Sequence, residues 1–322
     1  MGIRRLAVVA VAVAVLAACG AGGDPEGAPA AGAAPPDRPA LAVEVRTEPF
    51  VDATRGTDAS GSAPASPTRA APTRIFAPAG GQSGRPYPLV VFVHGSGGLG
   101  DGSGGLGDGY DRLLRTWASA GYVVAAPALP GSTDKDARGD WTADLPHFPA
   151  DVRFVIDELL RVNRAGEGPL LGSVDPDRIG LAGHSMGGMI TLAVAGNTCC
   201  HDGRVKAAVV LAGRETPFGG GQFWARIRTP VLLVHGDGDT NVTYADGRRA
   251  YASAPPPRFL LTIIGGDHGS PFSGDPADGQ ARLVTEAALD FFGHYLKGDT
   301  DGLAHLQARA SAPGVARLEQ ER

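Results

Sequence analysis

Arg178-Ile179-Gly180-Leu181-Ala182-Gly183-His184-Ser185-Met186-Gly187-Gly188-Met189-Ile190 decides the fold. The short apolar run Ile179 to Ala182 has the length of a buried strand, and Met189, Ile190, Leu192, Ala193, Val194 and Ala195 suit a buried helix. Between them Gly-His-Ser-Met-Gly-Gly must make a sharp turn. A turn that tight strains the backbone of Ser185 and pushes its hydroxyl outward. Gly183 and Gly187 flank it because a β-carbon at either point would strike neighbouring backbone. The free N–H groups and positive dipole end of the following helix then face the serine, and the Met186 N–H is placed to donate to an oxyanion. The same five-residue pattern arises by chance in a chain with 48 glycines, so the rest of the sequence has to supply a base.

Composition narrows the classes. A chain of 322 residues, 43% hydrophobic, can bury one sizeable core. Its net charge of -5 comes without a basic stripe, which argues against nucleic acid as a partner.

The amino terminus reads as a targeting segment. Arg4 and Arg5 precede an apolar run from Leu6 to Leu16 that is short for a bilayer span and typical of a secretory signal. Leu16-Ala17-Ala18-Cys19-Gly20 resembles the lipobox of bacterial lipoproteins. That resemblance implies cleavage after residue 18, lipidation of Cys19, and a mature protein tethered on the outer side of the cytoplasmic membrane; an ordinary signal peptide, with a secreted product, is the other reading. Residues 19–40, rich in Ala, Gly and Pro, cannot pack a core and are expected to be a tether.

From Leu41 the pattern becomes that of a folded domain. Strands are expected at Leu41 to Thr47, Thr73 to Phe76, Tyr87 to Gly95, Tyr122 to Pro127, Val205 to Ala212, Thr229 to Gly236 and, last, Phe259 to Ile264, besides the strand before Ser185. Helices are expected at Tyr110 to Ala120, Asp151 to Val162 and Arg282 to Leu296, with a loop from Gly131 to Pro146 and a polar tail over residues 299–322. Tyr87 to Val93 is apolar throughout, as for a strand buried on both faces of a parallel sheet. The segment Gly95 to Asp101 is repeated at once as Gly102 to Asp108, which places a long glycine-rich loop after this strand and leaves open which copy serves the site. Its aspartate sits one place too early for a calcium-binding glycine repeat, so no metal is assigned.

His268 lies in Gly265-Gly266-Asp267-His268-Gly269, after the last expected strand and on a loop able to reach Ser185. Ser185, Asp239 and His268 occur in the order nucleophile, acid, base, each past the carboxyl end of an expected strand. With these residues in view the chain resembles the α/β-hydrolase family over roughly Leu41 to Leu296. Within it the likeness is to extracellular bacterial esterases akin to platelet-activating-factor acetylhydrolases, dienelactone hydrolases and polyester-degrading cutinases.

The resemblance implies an α/β fold with a mostly parallel eight-stranded sheet, helices on both faces and no large cap, in a catalytic domain spanning 41–298. It implies a serine hydrolase that cleaves carboxylic esters, lipid, small acyl or polyester, through an acyl-enzyme on Ser185. Asp239 is the acid because the family places it three residues beyond the glycine closing its strand; Asp237 is the fallback and otherwise caps the turn. His94-Gly95-Ser96-Gly97-Gly98 falls where the family keeps the other half of the oxyanion hole, with the Ser96 N–H as second donor and His94 bracing the loop. Gly97, Trp141 and His184 are candidates for substrate contact, Trp141 equally for covering the core. No cofactor is expected, and oligomeric state is not legible.

Two departures from the resemblance stand out. Ser185 replaces the cysteine nucleophile of dienelactone hydrolases proper, and no cysteine follows Cys200, where polyester-degrading cutinases carry a carboxyl-terminal disulfide. Adjacent Cys199 and Cys200 are compatible with a vicinal disulfide or with two buried thiols. Three rival functions share these features: a serine peptidase of the same fold, a cofactor-free perhydrolase, and a surface lipoprotein that keeps the fold as a binding module.

Overall fold

A computed structural model describes residues 40–79, 85–96, 109–132, 141–165, 170, 172–273, 279–311 and 313–322. The expected signal sequence, the lipidation site Cys19, the tether up to residue 39, Gly97 and the second copy of the glycine repeat lie outside them. In chain order the elements are β1 (Val43–Asp52), β2 (Arg69–Pro78), β3 (Tyr87–Val93), α1 (Asp111–Ser119), β4 (Val123–Pro127), α2 (Trp141–Asp144) and α3 (Phe148–Ala165). There follow β5 (Val174–His184), α4 (Met186–Gly196), β6 (Val205–Leu211), β7 (Val231–Gly236), α5 (Tyr244–Ser253) and β8 (Arg258–Ile263). The chain closes with α6 (Ser270–Ser273), α7 (Gly279–Lys297), α8 (Gly302–Ala310) and β9 (Ala316–Glu321).

Among the described residues the strands form one nine-stranded sheet in the order β1-β2-β4-β3-β5-β6-β7-β8-β9. The centre from β4 to β8 is parallel, and β1, β2 and β9 attach antiparallel at the edges. Every residue of β3 is buried, because alternate side chains enter cores on opposite faces. Val90 and Phe92 meet α1, α7 and α8 through Trp117, Phe292 and their neighbours. Leu89, Val91 and Val93 meet α3 and α4 through Val152, Ile156 and Ile190. A third cluster packs α5 on the α4 face, where Ala250 and Tyr251 cover Val210, Val231 and Leu233. Each such aliphatic side chain contributes about 1.5–3 kcal/mol relative to exposure.

The sheet thus has one strand more than the eight expected, and the strand over Phe259 to Ile264 is not the last. Residues 299–322, expected to be a polar tail, instead hold α8 and β9. Ala316 to Glu321 pairs with β8 along its whole length, and Leu303 and Leu306 of α8 enter the core. Its polar composition is that of an edge strand, which keeps much of its surface wet. The segment expected as a loop over Gly131 to Pro146 contains α2, and α5 was not foreseen. Between β6 and β7 only turns and one isolated bridge occur, so no cap domain is inserted there. Cys199 and Cys200, just past α4, are joined in a vicinal disulfide that packs beside Phe218.

Candidate active site

The functional side chains gather at the carboxyl ends of the parallel strands, where neighbouring strands leave room for a cleft. Ser185 follows β5 directly and has φ 55° and ψ -116°, a conformation costly for a residue with a β-carbon. Its N–H donates to the Leu211 carbonyl at 2.9 Å, which ties the turn to the end of β6. The two glycines behave as their positions require. A β-carbon on Gly183 would lie 2.3 Å from the Gly187 carbonyl oxygen, and one on Gly187 would lie 1.9 Å from that of Val93. The start of α4 is therefore pressed onto the end of β3, and this contact lifts Ser185 into the cleft.

Ser185 Oγ is 2.8 Å from His268 Nε2, and His268 Nδ1 is 2.7 Å from Asp239 Oδ2. Asp239, 6% exposed, is held on its other oxygen by the N–H groups of Asn241 at 2.8 Å and Val242 at 3.0 Å. Asp239, three residues past β7, meets the histidine; Asp237 instead accepts the Gly265 N–H at 2.6 Å and pins the turn on which His268 rides. Buried His235, at the end of β7, donates from Nε2 to the Val242 carbonyl at 2.8 Å and stands 3.3 Å from Asp239 Oδ2. Burial pushes its pKa down, so it is a neutral support for the carboxylate rather than a competing charge.

A second chain of hydrogen bonds reaches His268 from the opposite side. The Gly95 N–H donates to the Tyr110 hydroxyl, which donates to His184 Nδ1 at 2.5 Å. His184 Nε2–H then donates to the His268 carbonyl at 2.6 Å. The direction is fixed because burial lowers the His184 pKa to about 4, leaving a neutral ring with one donor and one acceptor. The loop after β3 and the loop after β8 are thereby braced through one imidazole. His184, expected to touch substrate, lines the cleft but has both ring nitrogens engaged within the protein. His94 braces its own loop, with Nδ1 at 2.7 Å from the Gly95 carbonyl.

The cleft beside Ser185 encloses about 350 Å³. Gly95 and Ser96 line one side, and a β-carbon on Gly95 would lie 3.4 Å from that of Ser185, so this loop abuts the nucleophile turn. Met186 is the first residue of α4, where an N–H has no partner inside the helix. Trp141, from α2, both lines the cleft and packs on the core, the two alternatives at once. Tyr110, Met189, Arg214, Asn241 and Val242 complete the wall, and none of them was singled out in the sequence. For Arg214 a signal existed: it stands three residues past β6, at the end of the sheet where ligands bind. Among the described residues no group of His, Cys, Asp and Glu could hold a metal ion.

The arrangement pairs a hydroxyl with an imidazole oriented by a buried carboxylate, beside unsatisfied helix N–H groups. Such a site can carry out nucleophilic attack with general base assistance. The doubly covered parallel sheet with this serine at the β5–α4 turn defines an α/β-hydrolase fold. Residues 118–300 match the family model described as PET hydrolase-like, and the chain belongs to that family. It is 33% identical over 109 residues to bis(hydroxyethyl) terephthalate hydrolase of Streptomyces coelicolor, covering 33% of each chain. It is also 33% identical over 250 residues to "Putative esterase NocK" of Nocardia uniformis subsp. tsuyamanensis, covering 74% of this chain. The matches span 33% and 65% of the lengths of these two relatives.

Proposed function

We propose that the protein is a carboxylic ester hydrolase that works through an acyl-enzyme on Ser185. The observation that carries this reading is the hydrogen-bonded series Ser185–His268–Asp239, with 2.8 Å and 2.7 Å between the bonded atoms. His268 takes the Ser185 proton as Oγ attacks the ester carbonyl, and Asp239 holds the ring and stabilises the imidazolium. The N–H groups of Met186 and Ser96 receive the oxyanion, each contributing about 3 kcal/mol to the transition state. His268 returns the proton to the departing alcohol, then activates the water that releases the acid. Family membership and a relative named for hydrolysis of bis(hydroxyethyl) terephthalate support small aromatic diesters as substrates. A cleft of about 350 Å³ has room for one such ring with its ester arms. The lipobox-like sequence at Cys19 supports anchorage on the outer face of the cytoplasmic membrane, which the mass of the mature amino terminus would test.

The test is mass spectrometry after exposure to a fluorophosphonate, beside hydrolysis of a p-nitrophenyl ester series. Labelling at Ser185 that is lost in His268→Ala, together with ester turnover, supports the proposal. No label and no turnover would overturn it and favour the binding module; turnover of amides without esters would favour a peptidase.

A further inference from the structure

Arg214 stands out among the cleft residues by its charge. It is exposed, and among the described residues it is the one side chain lining the cleft with a permanent charge, with no carboxylate beside it there. The neighbouring acid does not serve it. Glu215 is turned away, accepting the Trp224 indole N–H at 2.9 Å and the Ser253 hydroxyl. Four arginines away from the cleft differ: Arg69, Arg178, Arg204 and Arg309 each meet carboxylates at 3.0 Å or less.

The base of the side chain is fixed relative to the nucleophile. Gly213 packs against α4 so closely that a β-carbon there would lie 2.8 Å from the Gly188 carbonyl carbon. Leu211, three residues before Arg214, accepts the Ser185 N–H at 2.9 Å. A flexible guanidinium arm thus extends from a rigid anchor bonded to the reacting serine. Apolar walls from Trp141, Met189 and Val242 share the same cleft. An apolar body with one anion at its edge is complementary to this surface, since guanidinium recognises carboxylate in a planar, two-pronged geometry.

Building on the ester hydrolase reading above, we infer that Arg214 recognises an ionised carboxylate on the substrate, so that the preferred esters carry a free carboxyl group. Half-esters of dicarboxylic acids are the simplest members of this class. Water adds across the remaining acyl–oxygen bond, which breaks to release the alcohol and leave the dicarboxylate. Cleavage of one ester bond in a neutral diester generates such a half-ester, so a diester hydrolase, this protein included, would supply the substrate.

The experiment compares kcat/KM for monomethyl terephthalate and methyl 4-methylbenzoate, and separately for 4-carboxyphenyl butyrate and 4-methylphenyl butyrate. The first pair places the charge on the acyl side and the second on the alcohol side. In Arg214→Ala the charged-to-neutral ratio should fall about five- to tenfold in at least one pair, equivalent to about 1–1.4 kcal/mol. It should fall further in Arg214→Glu, recover in part in Arg214→Lys, and decline in the unsubstituted protein as salt rises. A ratio that moves less than about twofold in both pairs overturns the inference. Binding of monomethyl terephthalate to Ser185→Ala, followed by calorimetry, reads the same contact without turnover. If none of the four esters is hydrolysed, the ester hydrolase reading falls, and calorimetry still decides Arg214: affinity unaffected by adding Arg214→Ala rejects it.

Discussion

Arg69 and Arg214 carry the same charge into two regions that treat it in opposite ways. Arg69, 2% exposed at the start of β2, meets Asp144 of α2 at 3.0 Å and Asp151 of α3 at 2.7 Å. Arg55 adds a further cation on Asp151 at 2.8 Å. Every member of that cluster is matched by another, and because Trp141 opens α2, the cluster also holds one wall of the cleft in place. The cleft follows a different rule. Burial keeps His184 in its wall and His235 behind Asp239 neutral, while among the described residues no carboxylate lines the cleft beside exposed Arg214. Charges that hold the fold together are paired internally; the charge proposed to meet a ligand is left with unused capacity.

The largest expected effect separates chemistry from stability. Ser185→Ala should lower kcat/KM for esters by roughly 10⁴-fold or more, with little change in thermal midpoint, because the side chain faces the cleft. Comparable loss of folding stability would mean that the strained turn, and not the nucleophile, is what the residue serves. Next in size is the paired region. Arg69→Met leaves Asp144 and Asp151 short of a partner, and should cost about 3 kcal/mol by denaturant unfolding. Replacing Asp144 and Asp151 by apolar residues as well should return most of that loss. A single variant as stable as the parent would remove one side of the comparison.

Acidification probes the neutral side. His184 titrates near 4 in the folded protein and near 6.5 when unfolded, so between these values the unfolded chain binds more protons. Stability contributed by the neutral ring is therefore complete above pH about 6.5 and declines toward pH 4, by on the order of 3 kcal/mol. His94 and His235, also lowered by burial, act in the same direction. Urea unfolding over this range should show the decline, and His184→Asn should make it shallower; an unchanged slope would refute the role given to the ring.

The smallest effect concerns the brace. Tyr110→Phe deprives His184 Nδ1 and the Gly95 N–H of a partner, which should cost about 1–2 kcal/mol of stability. It should also lower kcat a few-fold with less change in KM, since the displaced loops carry His268 and the Ser96 N–H. Equal losses in kcat and thermal midpoint with the pH profile unmoved would reduce the brace to ordinary packing.

What the sequence determined by itself is what short-range sterics and periodicity encode. Gly183, Ser185 and Gly187 announce the sharp turn because the Gly183–Gly187 approach is local, while the seat of Gly187 on Val93 is supplied by the fold; the apolar run of β3 announces a strand covered on both faces. Strand ends delivered Ser185, His268 and the Asp237–Asp239 turn to one rim, and the family resemblance picked Asp239, which the fold hydrogen-bonds to His268. Tertiary structure decided the rest. Ala316 to Glu321 has no apolar run, and becomes a strand only because β8 offers a free edge for its backbone. Gly95, Tyr110, His184 and His268 meet only because β3, α1, β5 and β8 converge at one end of the sheet. The lack of a carboxylate beside Arg214 among the described residues is likewise invisible in one dimension: Glu215 follows it at once, and only the folded chain sends that carboxylate to Trp224 and leaves Arg214 lining the cleft.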